Sequence, residues 1–491
     1  MLTRLSVSGF KNLVGVDVRF GPFTCIAGTN GVGKSNLFDA ITFLSYLATY
    51  PLQEAALMVR DEQNKTGDLR SLFTRTGDEH VAQMSFAAEM IVPMQGTDDL
   101  GQTADASISF LRYELVLGYE ESSTISTVGR LVLLSERLVH INRGDAARKL
   151  GFAHRPDWRN SVIKGRRTAP FISIGAERDH TVIQRHQEGN QGRTWKYSAS
   201  TLTRTVLSAS TAAEASTALL AKQEMQSWRL LQLEPTALRR PDSFMATTRL
   251  GSDGSHLPAT LYRLARQDGA EHENEHYAQI GNRLNELNED VKRVRIDRDD
   301  KRELLTLEIE DRSGTRHSAR ALSDGTLRFL ALTVIEEDPQ LGGVLCLEEP
   351  ENGIHPARIP AMLELLQDIA TDPTIPIGPD NPLRQVIINT HSPAVVQLIP
   401  QDCLVIADRI SNREGGKTVS RVRFSAVPDT WRVVDNPTAS VVQLGKLLDY
   451  LNPVPYKIAR RAKGERLIDR ADIQQLSLFP AASLTPEPHA A

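Results

Sequence analysis

The chain has 491 residues, a formal net charge of −4, 40% apolar residues and 24% charged residues. This composition is that of a globular protein, and it excludes a global basic field that would attract nucleic acid, so any such surface must be local. No stretch approaches the roughly 18 apolar residues of a membrane helix, and the N-terminus lacks a signal-peptide pattern. We therefore expect a cytoplasmic protein with no membrane partner.

The first hundred residues predict strands and one long helix. Alternating apolar residues indicate strands at residues 2–7 and 14–20, and the continuous apolar run at 23–27 is typical of a buried strand. A glycine-rich loop follows, and residues 35–50 then show the apolar face of a helix. The polar residues 96–105 are predicted to form a loop.

The middle of the chain mixes both patterns. Strands are predicted at residues 110–117, 131–134 and 304–309, and helical patterning covers residues 212–231 and 276–291.

Beyond residue 321, short apolar strands at 344–347, 386–388 and 403–407 alternate with helical segments, and residues 408–424 suggest a closing hairpin. This interleaving favours an α/β fold with a doubly covered sheet. The apolar runs each contain one cysteine at Cys25, Cys346 and Cys403, and we interpret these as buried residues in a reducing compartment.

A phosphate-binding loop follows the strand at 23–27. The pattern G-x-x-x-x-G-K-[ST] is matched by Gly28, Thr29, Asn30, Gly31, Val32, Gly33, Lys34 and Ser35. Glycines let backbone N–H groups surround the phosphates, Lys34 reaches the β and γ phosphates, and Ser35 binds Mg²⁺. A chance glycine-rich turn is the alternative, but the strand before and the helix after are the context that the motif needs. We therefore expect ATP and Mg²⁺ as cofactors.

The strand at 344–347 ends in two carboxylates, Glu348 and Glu349. Strand ends meet ligands in open α/β folds, and adjacent residues of a strand point to opposite sides. We therefore expect Glu348 to hold the Mg²⁺ shell and Glu349 to orient and deprotonate the attacking water. An ordinary acidic strand end at the surface is the alternative.

Five motifs now occur in a fixed order, and together they resemble the ABC-type ATPase heads of the RecF, SMC and OLD (overcoming lysogenization defect) families. The nearest match is to compact OLD-like ATPases of anti-phage defence. The motifs are residues 9–12, residues 28–36 with Asn36, residues 322–326, residues 348–356 and residues 389–393. The resemblance covers roughly residues 1–97 and 200–410. It implies a P-loop NTPase with a mixed sheet, and an inserted α+β region between the phosphate loop and the signature motif.

The resemblance also supplies roles. Residues 322–326 would be the signature motif, in which Ser323 and the backbone of Gly325 cap the γ-phosphate bound by another subunit, so a homodimer or a higher even oligomer is implied. His391 would sense the γ-phosphate, and a satisfied core histidine is the alternative. Asp324, Thr326 and His355 depart from transporter patterns. Residues 73–77 resemble the R-x-G turn of SMC heads, but no glutamine is assigned to the Q-loop.

From these motifs we predict five regions. They are an N-terminal ATPase lobe (1–97), an inserted β-rich and partly basic region (98–200), a helical lobe (201–310), a C-terminal ATPase lobe (311–452) and a flexible tail (453–491). OLD nucleases carry a Toprim domain after the ATPase, but no such elements follow His391. We therefore expect any nuclease or other effector to be a separate protein.

Two segments suggest further partners. Residues 143–167 are locally basic around Trp158 and could contact DNA phosphates, with a solvated face as the alternative. The tail carries Gln475, Leu476, Ser477, Leu478 and Phe479, which resemble the pentapeptide that binds the bacterial sliding clamp.

Three hypotheses follow: an anti-phage defence ATPase with a separate effector, a RecF-like repair ATPase recruited to the clamp, or a non-catalytic scaffold held together by ATP.

Overall fold

The structure is a computed structural model. It describes residues 1–443 and 445, apart from 60–67, 78, 122–128, 178–179, 189–192, 268, 270, 288, 415–416 and 435–438. Within these ranges, no helix combines the length and the apolar character needed to cross a membrane.

The described residues form strands and helices in alternation. The strands are β1 (Leu2–Ser8), β2 (Val16–Arg19), β3 (Phe23–Ala27), β4 (Arg75–Thr76), β5 (Glu79–His80), β6 (Gln83–Ile91), β7 (Gln95–Thr97), β8 (Thr103–Asp105), β9 (Phe110–Glu120), β10 (Arg130–His140), β11 (Ile172–Glu177), β12 (His180–His186), β13 (Thr194–Ser198), β14 (Arg229–Leu231), β15 (Asp242–Ser243), β16 (Val291–Asp299), β17 (Leu304–Asp311), β18 (Arg316–Ser318), β19 (Gly343–Glu348), β20 (Arg384–Thr390), β21 (Leu404–Glu414) and β22 (Lys417–Ala426). The helices are α1 (Lys34–Leu47), α2 (Leu52–Leu57), α3 (Ala146–Leu150), α4 (Pro156–Val162), α5 (Ser216–Gln226), α6 (Pro235–Leu238), α7 (Leu257–Arg266), α8 (Glu273–Asn285), α9 (Asp324–Glu337), α10 (Ile359–Ile369) and α11 (Pro393–Leu398).

A six-stranded mixed sheet forms the centre of the fold, in the order β14-β19-β20-β3-β21-β22. All neighbours are parallel except the hairpin of β21 and β22. Side chains of β3 alternate between two apolar clusters, since Cys25 and Ala27 belong to one and Ile26 to the other. Both faces of the sheet are therefore covered, and the predicted mixed α/β class is confirmed.

A second, antiparallel sheet has eight strands in the order β13-β12-β11-β10-β9-β6-β1-β2. The strands from β9 to β13 extend the same sheet as β1, β2 and β6. A smaller sheet of β15, β17, β16 and β18 lies before α9. The five region boundaries stay predictions, because neither sheet marks where one region ends and the next begins.

Several predicted elements need correction. Residues 96–105 are not a loop, because β7 and β8 pair there as a hairpin. The helix predicted to reach residue 231 ends at Gln226, and Arg229–Leu231 instead pairs with β19. Cys403 lies in a half-buried turn before β21 and not within a strand, whereas Cys25 and Cys346 are buried as expected.

Candidate active site

The carboxyl ends of β3, β19 and β20 meet at one edge of the central sheet. A cavity of about 700 Å³ opens there between the phosphate loop, the end of β19 and helix α9. Parallel strands bring their carboxyl ends to one edge, so residues far apart in the sequence converge on one ligand site. The cavity is of a size usual for a small-molecule site.

The phosphate loop lies between β3 and α1, and most of its residues line this cavity. The residues of the loop that line it are Asn30, Gly31, Gly33, Lys34, Ser35 and Asn36. The other three predicted binding residues have different positions. Gly28 follows β3 and its carbonyl oxygen accepts from Lys34, Thr29 is exposed, and Val32 packs in the core.

The Lys34 ammonium is buried beneath the loop. Its Nζ donates to the carbonyl oxygens of Gly28 at 2.7 Å and Thr29 at 3.1 Å. Burial lowers the pKa of Lys34, while the nearby carboxylate of Glu349 acts in the opposite direction. The side chain is thus held at the floor of the cavity, where an anionic ligand would provide a stronger partner than the two carbonyls.

Asn12 braces the loop from the side, a role that the sequence did not reveal. Its Nδ2 donates to the carbonyl oxygen of Val32 at 3.0 Å, and its Oδ1 accepts from Asn36 Nδ2 at 2.8 Å. One side chain therefore connects the phosphate loop to the first turn of α1. The motif of residues 9–12 was the signal that could have indicated this contact.

The positions of the acidic pair, Glu348 and Glu349, are set by a turn at the end of β19 and not by the alternation of side chains along a strand. Strand β19 ends at Glu348, and Glu349 has a left-handed backbone with φ of 46°. Its N–H donates to the carbonyl oxygen of Asn389 at 3.0 Å. Both residues line the same cavity, and the left-handed backbone of Glu349 ends the alternation of the strand there.

Glu349 is held by two neighbours. His391 Nδ1 lies 2.7 Å from its Oε1, and Asn352 Nδ2 donates to its Oε2 at 2.8 Å. Burial raises the pKa of Glu349, but the hydrogen bonds from Asn352 and His391 outweigh burial, and the pKa falls below its usual value. The carboxylate is therefore ionised and oriented. His391 is 41% exposed, which excludes the alternative of a core histidine.

A hydroxyl and a carboxylate in the cavity would provide oxygen ligands to a bound metal ion. Ser35 and Glu348 both line the cavity, at the start of α1 and the end of β19. Asn389 Nδ2 lies 3.4 Å from Glu348 Oε1. Mg²⁺ prefers oxygen ligands and uses few from the protein beside phosphates and water, so this donor set fits Mg²⁺.

The signature residues lie outside the cavity of their own chain. Ser323 caps α9, where its hydroxyl accepts from the backbone N–H of Thr326 at 3.2 Å. A Cβ on Gly325 would lie 2.4 Å from the carbonyl oxygen of Gly353, so close packing against the acidic turn requires glycine here. Neither Ser323 nor Gly325 lines the nucleotide cavity.

Two cavity residues were missed in the sequence. Gln232 and Glu234 follow β14 and line the cavity beside the acidic turn. Their position depends on the pairing of β14 with β19, for which the sequence holds no local signal.

Arg328 of α9 connects this segment to the turn that holds Glu349. Its Nε donates to the carbonyl oxygen of Leu233 at 3.0 Å, and its Nη1 donates to that of Asn352 at 2.6 Å. Asn352 in turn binds Glu349. The helix that begins at the signature motif is therefore linked to the carboxylate of the cavity.

The basic segment combines a buried aromatic residue with exposed arginines. Trp158 is fully buried and packs against Phe152 with ring centroids 5.7 Å apart. Arg148, Arg155 and Arg166 are exposed. The tail motif Gln475, Leu476, Ser477, Leu478 and Phe479 lies outside the described residues.

Two family models match the chain on either side of the predicted insertion. Residues 187–397 match a family described as "AAA domain, putative AbiEii toxin, Type IV TA system". Residues 4–101 match a family described as "AAA domain".

Curated relatives match over shorter stretches. A DNA replication and repair protein RecF of Paenarthrobacter aurescens is 26% identical over 181 residues, which cover 35% of this chain and 43% of that protein. A RecF of Phocaeicola vulgatus is 42% identical over 55 residues, which cover 11% and 15%. The chain thus spans less than half the length of these relatives.

Two solved structures are similar at low identity. One is an SMC head bound to the C-winged helix domain of ScpA, with 14% identity, coverage of 87% and 98%, and a TM-score of 0.43. The other is the SMC head domain from Thermotoga maritima, with 11% identity, coverage of 86% and 97%, and a TM-score of 0.33.

Proposed function

Because this chain carries an ABC-type ATPase head of the RecF and SMC group, we propose that it hydrolyses ATP with Mg²⁺ at a site that a second copy completes. One observation carries the proposal. The ionised carboxylate of Glu349 lies in the same cavity as the phosphate loop and is fixed by His391 at 2.7 Å and Asn352 at 2.8 Å. A general base has to be both ionised and oriented.

Each residue of the cavity then has a task. The Lys34 ammonium leaves its two carbonyl partners for the β and γ phosphates, and the loop N–H groups surround them. Ser35 and Glu348 would hold Mg²⁺, which when bound neutralises charge on the phosphate oxygens. Glu349 orients the attacking water and accepts its proton, while His391 stabilises the carboxylate and reaches toward the γ-phosphate.

The second copy would complete the site with its signature motif. Ser323 caps α9 and Gly325 lies in its first turn, both outside the nucleotide cavity of their own chain, and a helix start offers N–H groups to an anion. Two chains facing each other would place each signature motif over the γ-phosphate of the partner. The assembly we propose is a homodimer or a higher even oligomer.

For the biological role we propose the ATPase subunit of a bacterial anti-phage defence system. Its OLD-like chain would act with a separate effector or nuclease and associate with DNA. The family description that names a toxin and a type IV toxin–antitoxin system supports this role. A nuclease or Toprim gene beside the gene for this chain would strengthen the assignment.

A RecF-like repair ATPase is the second candidate, and the RecF names of the relatives favour it. Recruitment to the sliding clamp would use residues 475–479. Replacing Leu478 and Phe479 with alanine would abolish binding to a purified clamp if this role is correct. Clamp binding retained by this variant would show that residues 475–479 are not the clamp-binding site.

Steady-state ATP turnover tests the enzyme itself. Glu349→Gln keeps the size of the side chain but removes the base, so turnover should fall by about 100-fold or more while ATP still binds. The exposed Gln340, on the turn after α9, offers a control as Gln340→Ala. ATP binding by wild type without measurable turnover would favour the remaining hypothesis, a scaffold held by ATP, and equal measurable turnover by wild type and Glu349→Gln would contradict the role of Glu349.

A further inference from the structure

The acidic turn carries a third carboxyl group, which has no task in the reaction proposed above. Glu351 is buried, with 8% of its surface exposed. Its neighbours Pro350 and Asn352 line the nucleotide cavity, but Glu351 is not part of the cavity wall. Burial raises the pKa of Glu351, because a carboxylate that loses its hydration is destabilised. A group that is unfavourable to bury therefore lies directly behind the site.

The partner of this carboxyl group is the hydroxyl of Thr390. Thr390 is the last residue of β20 and is fully buried. Its Oγ1 donates to Oε1 of Glu351. Within the described part of the chain, Oε2 of Glu351 has no hydrogen-bond partner. The side chain of Glu351 thus acts on the fold through its contact with Thr390.

The same hydroxyl fixes the backbone on both sides of His391. The backbone N–H of Ser392 donates to Oγ1 of Thr390 at 2.9 Å. A hydroxyl has one hydrogen to donate, and its lone pairs accept. Because Glu351 accepts that hydrogen, the lone pairs of Thr390 are directed toward Ser392. A side-chain bond to the residue two positions further on stabilises a turn, and His391 lies within this one.

The turn held in this way carries the histidine that contacts the proposed base. His391 Nδ1 lies 2.7 Å from Oε1 of Glu349. The side chain of His391 is 41% exposed, so packing alone does not fix its ring. Hydrogen bonds weaken steeply when their distance or angle departs from the usual range. The contact between His391 and Glu349 therefore depends on the backbone that carries His391.

Three successive residues of β20 and its following turn bind the acidic turn. The carbonyl oxygen of Asn389 accepts from the N–H of Glu349 at 3.0 Å, Thr390 donates to Glu351, and His391 contacts Glu349. Of these contacts, the one between Thr390 and Glu351 joins two side chains that are both more than nine-tenths buried. A hydrogen bond that is shielded from water is electrostatically stronger than an exposed one.

We propose that Glu351 is a positioning residue for ATP hydrolysis, which acts through the hydroxyl of Thr390 to hold the turn that directs His391 at Glu349. The carboxyl group of Glu351 touches neither the nucleotide nor the attacking water. Its effect on turnover rests on the function proposed above, whereas its effect on the His391 ring does not.

A matched pair of variants at Thr390 tests the role in turnover. Thr390→Val keeps the size of the side chain and suits a strand but removes the hydroxyl, whereas Thr390→Ser keeps the hydroxyl. With ATP and Mg²⁺, Thr390→Val should lower kcat by about tenfold and change KM by less than about twofold. Thr390→Ser should keep most of the wild-type kcat. Thr260→Val, which removes another fully buried hydroxyl in α7, is the control and should leave kcat unchanged.

Variants of Glu351 and His391 show whether the effect passes through the histidine. Glu351→Gln keeps an oxygen that accepts from Thr390, so it should retain more activity than Glu351→Ala. Adding Thr390→Val to His391→Ala should cause no further fall in kcat, because residues that act as one unit are not additive. Additive losses would contradict the inference. A thermal melt identifies any variant that fails to fold, and the Thr390 pair carries the test if Glu351→Ala does not fold.

Nitrogen NMR of the histidine-labelled full chain reports on the His391 ring without turnover. The Nδ1 signal of His391 is assigned by its absence in His391→Ala. Thr390→Val should move this signal toward its position in Glu349→Ala, where the partner carboxylate is missing. Thr390→Ser and Thr260→Val should leave the signal where it is in wild type.

The two measurements separate failure of this inference from failure of the proposed function. If wild type turns over ATP, an unmoved Nδ1 signal in Thr390→Val, or a kcat equal to that of Thr260→Val, would overturn the inference alone. If wild type shows no turnover but the Nδ1 signal moves as expected, the proposed function is refuted and the positioning of His391 by Glu351 and Thr390 stands. An unmoved signal without turnover would refute both.

Discussion

The side-chain amide of Asn12 fills the space in which a Cβ on Gly33 would stand, 2.2 Å from Nδ2. Gly33 also has φ of 110°, a left-handed backbone that side chains rarely adopt. The phosphate loop is thus shaped by a contact between the first hairpin and the start of α1. Contacts within the chain fix the shape of this loop, and a preorganised loop lowers the entropic cost of binding.

Replacement of Gly33 should therefore be far more harmful than replacement of Gly31. Both glycines have positive φ, but a Cβ on Gly31 would meet no atom within 4 Å. Gly33→Ala should abolish measurable ATP binding, whereas Gly31→Ala should weaken it by about tenfold at most, from backbone strain alone. Equilibrium binding of a fluorescent ATP analogue compares the two variants. Equal losses would contradict the role assigned to Asn12.

The contact of Asn352 with Glu349 predicts a shift in pH dependence. Hydrogen bonds from Asn352 and His391 hold the pKa of Glu349 below its usual value, although burial alone would raise it. The base works when ionised, so turnover is lost as pH falls through this pKa. Asn352→Ala removes one donor, so the acid limb of the kcat profile should move to higher pH. We expect kcat at neutral pH to fall by about tenfold because the carboxylate loses its orientation.

The measurement is kcat between about pH 3.5 and 8, so that the acid limb of wild type falls within the range. Gln340→Ala, on the exposed turn after α9, serves as the control and should match wild type. An unchanged acid limb in Asn352→Ala, with the same fall in kcat, would show that Asn352 only supports the turn and does not act on the carboxylate.

Two kinds of variant in the basic segment separate its contribution to the stability of the fold from its contact with DNA. Trp158 is buried with Phe152 and His154, so Trp158→Ala should cost about 3–5 kcal/mol of unfolding free energy. Glutamate at Arg148, Arg155 and Arg166 should leave stability unchanged within about 0.5 kcal/mol.

If DNA contacts this face, the triple glutamate variant should weaken DNA binding and flatten its salt dependence. Denaturant unfolding and DNA titrations at two salt concentrations measure both effects. DNA binding that is equal in wild type and the triple variant would exclude this face as a DNA site.

Local sequence patterns were sufficient to predict the phosphate loop, the strand before it and the helix after it. The strand Phe23–Ala27 was predicted with its observed bounds, and α1 begins within one residue of the expected start. Both follow from side-chain periodicity and one contiguous motif. The same holds for the strand that ends at Glu348.

The missed parts depend on contacts between distant residues. The helix predicted over residues 212–231 includes the three residues of β14, because Leu230 and Leu231 continue the apolar pattern of that helix. Only their pairing with β19 makes them a strand. Gln232 reaches the cavity for the same reason. The left-handed turn at Glu349 is stabilised by its bond to Asn389, forty residues further along the chain, so the strand pattern could not indicate it.

The central claim, a nucleotide site shared by two copies, is tested most directly by the molar mass of Glu349→Gln measured by light scattering with and without ATP and Mg²⁺. This variant binds ATP but does not consume it, so the mass should rise from that of a monomer to that of a dimer, or an existing dimer should become more compact. Adding Ser323→Arg should remove the shift, because Ser323 lies outside the cavity of its own chain, and ATP binding measured alongside shows whether loss of the α9 cap has disturbed that cavity. Measurable ATP binding with no change in mass or shape would contradict the shared site.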